Sequence, residues 1–216
     1  MLTRADQTVP DCLEVLDHIR PLGLKHIGFK DVGVPPAVLG ELAKRIKASG
    51  ATTYMEVVST SPEAALRSAR VARDIGIDRL LGGTQVREVL EILAGSPVAY
   101  HPFPGRPFDH PTKLGGTPAE IEADCRRFRA MGCAGVDLLA YRATEADPIE
   151  LVMAARRGMD GYLLVAGSVS TAAQIRALRE AGADAFTIGS AAFDGSFSPL
   201  KGLLRTQLQD IVDACS

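Results

Sequence analysis

Four side chains combine reactivity with a place in or at the end of a short apolar run: Lys30, Glu56, His101 and Asp137. Lys30 closes the run His26–Lys30 and precedes Asp31 in Gly-Phe-Lys-Asp. A lysine at the end of an apolar strand is costly to desolvate unless paired, and burial lowers its pKa towards neutrality. It is the first candidate for chemistry, as a proton donor, as a cation steadying an enediolate oxygen, or as a Schiff-base amine. The other assignment is a surface lysine paired with Asp31. Glu56 stands in Met-Glu-Val-Val, on the opposite side from Met55 and Val57, so it faces either a barrel interior or the helices. An ionised glutamate in either place needs a partner, and Lys30 on the neighbouring strand is the expected one. Such a pair divides acid and base roles, or it is a structural ion pair.

His101 opens His-Pro-Phe-Pro-Gly-Arg, where it can shuttle protons near neutral pH or bond the loop backbone. Asp137 lies within a strand whose facing the sequence leaves open. Arg4 and Asp6 follow the first short run, Arg106 lies in the longest irregular stretch, and Arg142 follows the Asp137 run. These four are the candidates for holding a substrate. Arg106, His110 and Lys113 on one loop can close over an anion and exclude water. His101, Glu56 and Asp137 together are an alternative set for a divalent metal, without a close-spaced ligand motif to support it. The reading adopted needs no metal. No Gly-x-Gly-x-x-Gly turn is present, so no dinucleotide cofactor is expected.

A different chemistry is written near the carboxyl end, in Leu164-Val-Ala-Gly-Ser-Val-Ser-Thr171 and in Phe186-Thr-Ile-Gly-Ser190. Gly167 and Gly189 end successive strands, where the missing Cβ lets a ligand approach the backbone. Two such turns, with a helix N-terminus nearby, direct N–H groups at an anion. Gly167, Ser168, Val169, Gly189 and Ser190 are therefore the candidate phosphate contacts. Simple chain reversal is the alternative use of such turns.

Positioning these residues takes a particular set of elements. Short apolar runs occur at His26–Lys30, Thr53–Val58, Arg79–Leu81, Val98–His101, Val136–Tyr141, Tyr162–Ala166 and Ala185–Ile188, and they suit parallel strands buried on both faces. Helices lie between them. Ser61, Thr117, Asp147 and Ser198 each precede a proline, an N-cap and first-turn signature. Glu120 completes a capping box with Thr117. Gly23, Gly50, Gly95, Gly132 and Gly182 are expected left-handed helix ends. A helix opening at Val9-Pro10 requires an earlier strand, for which Met1–Thr3 is available. Eight strand–helix repeats predict an α/β fold, a single (β/α)8 TIM barrel over residues 1–216 with a short first strand; an open doubly wound sheet is the competitor. The stretch Pro102–Gly116 is the one long irregular loop expected.

The composition agrees with a folded enzyme-sized domain: 46% hydrophobic and 23% charged residues over 216 positions, with a net charge of −2. That balance excludes a disordered chain and offers no broad positive field for nucleic acid. The four cysteines form no Cys-x-x-Cys pair, so buried free thiols are expected. Without an apolar leader or a membrane-length run, the expectation is a cytoplasmic protein with no membrane partner, a small phosphorylated metabolite as ligand, and a homo-oligomer left open.

Over Tyr162–Phe193, the glycine turns and the intervening Gly182-Ala183-Asp184 resemble the ribulose-phosphate-binding barrels, among them the indole-3-glycerol-phosphate synthases and N-acetylmannosamine-6-phosphate 2-epimerases. The resemblance implies a barrel that handles phosphate. Lys30-Asp31 and Glu56-Val57 are also similar to the lysine and glutamate segments of the synthases, although too little chain precedes Lys30 for the same strand numbering. The epimerases carry their lysine one strand later, so neither mechanism transfers whole. The reaction expected is proton transfer next to a carbonyl, in a lyase, isomerase or epimerase. A ring-closing or decarboxylating enzyme and a non-catalytic phosphate-binding barrel are the alternatives.

Overall fold

The computed structural model describes residues 1–215 of the chain, and its contacts gather into two compact units, Met1–Tyr100 and His101–Ser216. The first unit opens with an antiparallel hairpin of β1 (Thr3–Arg4) and β2 (Gln7–Thr8). Its two turn residues, Ala5 and Asp6, both have positive φ, at 48° and 58°, the backbone that matches the twist of a two-residue hairpin. Strands and helices then alternate: α1 (Cys12–Ile19), β3 (His26–Lys30), α2 (Pro36–Ala48), β4 (Thr52–Glu56), α3 (Pro62–Asp74), β5 (Arg79–Leu81), α4 (Val86–Leu93) and β6 (Ala99–His101), whose last residue begins the second unit. The sheet order is β3-β4-β5-β6, and β3 pairs β4 in parallel with Lys30 opposite Glu56. Phe29, Met55, Leu80 and Leu81 are fully buried, each stabilising the unit by about 1.5–3 kcal/mol.

The second unit continues with β7 (Arg106–Phe108), β8 (Lys113–Gly115), α5 (Pro118–Ala130), β9 (Gly135–Leu138), α6 (Pro148–Gly158), β10 (Tyr162–Val165), α7 (Ala172–Glu180), β11 (Ala185–Phe186), α8 (Ser190–Phe193) and α9 (Leu204–Ala214). Here β10 lies between β9 and β11, parallel to both. Helices α5 and α6 pack closely at Gly158, where a Cβ would stand 2.4 Å from the Glu122 carbonyl oxygen.

The capping signals act as read at three of four places. Ser61, Thr117 and Asp147 accept N–H bonds at the starts of α3, α5 and α6, and Thr117 with Glu120 forms the capping box. The five predicted helix-end glycines all have positive φ. Ser198 is the exception: α9 starts later, at Leu204, and the Ser198 hydroxyl donates to Asp210 at 2.6 Å. Three further expectations are corrected. Met1–Thr3 is not a regular parallel strand; Leu2 N–H donates to Gly28 O at 2.7 Å, and the chain then folds back through the hairpin. Pro102–Gly116 is not wholly irregular, because β7 and β8 pair antiparallel within it. The run from Val136 leaves the sheet at Leu138, and Ala140–Arg142 form a 3-10 turn with Arg142 N–H on Leu139 O at 2.9 Å. Among the described residues, no helix is long and apolar enough to cross a membrane.

Candidate active site

In the first unit, β3 and β4 end side by side on oppositely charged residues. Alternation and register put Lys30 and Glu56 on the same face, and the Lys30 ammonium donates to a Glu56 carboxylate oxygen at 2.9 Å. The hairpin turn supplies a second acceptor: the Asp6 carboxylate accepts from the same ammonium at 2.8 Å. All three side chains are at most 8% exposed. One cation thus sits between two carboxylates with little water, which strengthens each interaction and costs desolvation of all three charges.

The surroundings reverse one expectation about Lys30. Burial is the largest influence on its pKa and acts downwards, but the Glu56 and Asp6 charges and their hydrogen bonds together outweigh it. Lys30 is therefore held above the ordinary lysine range, as an ammonium. A neutral amine for Schiff-base chemistry is disfavoured; a fixed positive charge and a proton donor are favoured. Asp31, the partner in the surface reading, faces elsewhere. Its carboxylate accepts from Val58 N–H at 3.0 Å and from the Ser68 hydroxyl at 2.5 Å, tying β3 to the loop after β4 and to α3. Burial pushes the Asp31 carboxyl up, against the lowering effect of those two bonds. Arg4 lies exposed on β1.

In the second unit, His101 is fully buried. It packs edge-on against Tyr162, with ring centroids 5.8 Å apart, and its Cδ2 lies 2.8 Å from where a Gly135 Cβ would be. The bare backbone of Gly135 makes room for the imidazole. Asp137, two residues along the same face of β9, is also fully buried, with its N–H on Pro102 O at 3.0 Å. Arg106 is placed in a bridge: its guanidinium bonds Glu120 at the start of α5 and Glu145 at 2.9 Å. Lys113 pairs with Asp109 across the hairpin tip at 3.1 Å. Arg106 and Lys113 therefore already face carboxylates. Among the described residues, no group of three or more His, Cys, Asp and Glu side chains is arranged to hold a metal.

The turn after β10 has a specific backbone. Gly167 has φ +78° and Ser168 +59°, two successive residues with left-handed φ, a region that glycine enters without strain and serine does not. Val169 is buried and the Ser168 side chain is exposed. Arg142 lies against this turn, its Nε only 2.4 Å from where a Gly167 Cβ would stand, and its Nη1 donates to Thr112 O at 3.2 Å. Glycine is needed at 167 for both reasons, backbone sign and guanidinium contact. The N-terminus of α7 is already capped: Thr171 accepts from Gln174 N–H at 3.2 Å, while the Gln174 side chain accepts from Ser170 and Thr171 N–H at 2.8 and 3.1 Å. After β11, Gly189 caps α8, a helix of four residues that begins at Ser190.

Sequence reasoning named Asp6 as a substrate contact and missed it as the second partner of Lys30. The usable signal was Ala5-Asp6 between two Thr-containing segments, since aspartate tolerates the left-handed turn that aims its carboxylate. It missed Thr8 entirely.

No family model matches the chain, and no curated protein matches it in sequence. Solved structures do match. Orotidine 5'-phosphate decarboxylase from Pyrococcus horikoshii OT3 superposes with a TM-score of 0.64 and 15% identity, over 94% of this chain and 92% of that one. A 3-hexulose-6-phosphate synthase gives 0.65 and 16%, over 94% and 93%. A mutant tryptophan synthase alpha-subunit from Pyrococcus furiosus gives 0.61 and 15%, over 84% and 75%. Identities this low speak for the fold and not for the reaction. The chain shares the (β/α)8-barrel fold of these solved structures.

Proposed function

We propose that the protein is an enzyme acting on a small phosphorylated metabolite, by proton transfer at a carbon next to a carbonyl. The observation that carries this reading is the buried Asp6–Lys30–Glu56 cluster at the carboxyl ends of β3 and β4. In this fold, chemistry is done at the carboxyl ends of the strands. A group of three desolvated charges contributes little to stability that apolar side chains would not supply, so its retention there points to use.

The roles proposed are supported by the contacts within the cluster. A carboxylate, Glu56 or Asp6, takes the proton from the carbon. Lys30, kept charged by the pair, stabilises the negative charge that develops on the carbonyl oxygen and returns a proton. For the second unit, taken by itself, phosphate binding is assigned to the turn Gly167–Ser168–Val169, with the Arg142 guanidinium supplying charge, and to Gly189–Ser190. The support is the left-handed backbone at 167 and 168 and the closeness of Arg142 to Gly167. The same ammonium could protonate a carbanion left by loss of carbon dioxide, so decarboxylation is the second reading.

The test is a panel of phosphorylated aldoses, ketoses and keto acids incubated in deuterated water and followed by NMR. Deuterium entering next to the carbonyl supports the first reading, and release of carbon dioxide supports the second. Lys30→Met and Glu56→Gln should each abolish the activity found. Failure of every panel member, or activity that survives both substitutions, overturns the assignment. Binding is read separately. A ligand at 100 times its Kd stabilises the native state by about 2.7 kcal/mol, a rise in Tm of about 5–10 °C at this chain length. Arg142→Met should remove that rise.

A further inference from the structure

Parallel pairing with β4 uses one edge of β3, and the alternate residues Gly28, Lys30 and Val32 turn their main-chain groups to the other edge. Residues 2 to 8 cover it. Gly28 O accepts from Leu2 N–H at 2.7 Å, and Val32 O accepts from Thr8 N–H at 3.0 Å. Between them, both main-chain groups of Lys30 meet a single side chain. The Thr8 hydroxyl accepts from Lys30 N–H at 2.9 Å and donates to Lys30 O at 2.8 Å. A hydroxyl has one donor and two acceptor sites, so one atom here does what the backbone of a neighbouring strand would do.

The fit around Thr8 is tight. Its side chain is buried, with the residue 1% exposed. Gly33, with φ +102°, passes so close that a Cβ there would lie 2.3 Å from Thr8 O. Two residues before Thr8, Asp6 holds the ammonium of the same lysine. One short hairpin therefore grips Lys30 at both ends.

We infer that Thr8 is a positioning residue for Lys30, fixing the backbone from which the ammonium reaches Asp6 and Glu56. The inference rests on the reading of Lys30 as the reactive cation, and adds the residue that sets its place. Valine at this position keeps the branched shape and removes both bonds, leaving a buried N–H and C=O with no replacement. The strand end then shifts and the ammonium loses its alignment with one or both carboxylates. Serine keeps the hydroxyl.

The experiment compares Thr8→Val, Thr8→Ser and the unaltered full chain. The Lys30 ammonium is followed in 15N-labelled protein by NMR, with Lys30→Arg identifying its signal. In Thr8→Val the signal should shift and its titration should move down towards that of an ordinary lysine; Thr8→Ser should restore both. If Thr8→Val does not fold, Thr8→Cys, whose thiol bonds weakly, reads the same titration. With a turned-over substrate, kcat should fall by roughly 10- to 100-fold, the scale of a misplacement near 1 Å, with KM little changed. A lower Tm with an unaltered Lys30 titration overturns the inference, because Thr8 would then serve stability alone. The titration needs no substrate, so it judges Thr8 even if the metabolite panel refutes the enzyme reading.

Discussion

Replacing Lys30 by methionine removes the cation from between two carboxylates while keeping the unbranched stem. Asp6 and Glu56 lie 2.8 and 2.9 Å from Nζ, and their side chains are 8% and 5% exposed. Water cannot readily take the place of the ammonium, so their mutual repulsion is poorly screened. Breaking a buried pair by deleting one partner costs about 3–5 kcal/mol. For a chain of this length, each kcal/mol moves Tm by about 2–4 °C, giving a drop of about 6–20 °C at neutral pH. The pH dependence follows from Lys30 being held above its ordinary range. Its contribution is complete below the unfolded lysine pKa of about 10.4 and is lost only as pH rises through the higher folded value. The Lys30 charge itself therefore does not narrow the Tm gap between about pH 7 and 9; the gap shrinks towards acid, as the variant's unpartnered carboxylates take up protons, and again in strong alkali, as Lys30 loses its proton. Calorimetry or thermal melts monitored by circular dichroism measure it directly. The neutral triple variant Asp6→Asn/Lys30→Met/Glu56→Gln should regain most of the loss, since its set needs no counter-charge. A Lys30→Met protein melting within about 2 °C of the parent, the scale of a surface substitution, would refute the coupled buried cluster.

Two further outcomes rest on other buried groups. Asp31 has a carboxyl pKa raised chiefly by burial, so its charge costs stability as pH climbs through that value. Asp31→Asn keeps an acceptor for Val58 N–H; its Tm relative to the parent should become more favourable as pH rises from about 4 through the raised folded pKa and then level off, and a flat difference would contradict the burial argument. Burial also pushes the Cys125 thiol up to about 12 and that of Cys133 to about 11, while Cys215 is the exposed cysteine of the four. A thiol reagent such as Ellman's should label Cys215 in the native protein and all four after denaturation; rapid native labelling of Cys125 would show that α5 opens far more readily than its packing implies.

How much of this was legible beforehand depended on the range of the interaction. Thr117, Glu120, Ser61 and Asp147 cap their helices through bonds a few residues long, so the chain carries that information locally. The meeting of Lys30 and Glu56 was readable for a related reason: consecutive strands of a parallel sheet are neighbours, and both end in charge. Ser198 is not a cap because no helix begins directly after it: α9 starts at Leu204, and the Ser198 hydroxyl donates to Asp210 on that helix.

By itself, then, the amino-acid order determined the alternation of strands and helices, the glycine turns and the pairing of one lysine with one glutamate. Only the tertiary structure decided that Asp6 and Thr8, 24 and 22 residues from Lys30 in sequence, close on it from a hairpin, and that Arg142 lies on the Gly167 turn. It also decided the direction of the Lys30 pKa shift. Composition and pattern can report that a lysine is buried; how many carboxylates share its cavity depends on contacts that exist only once distant segments are packed together.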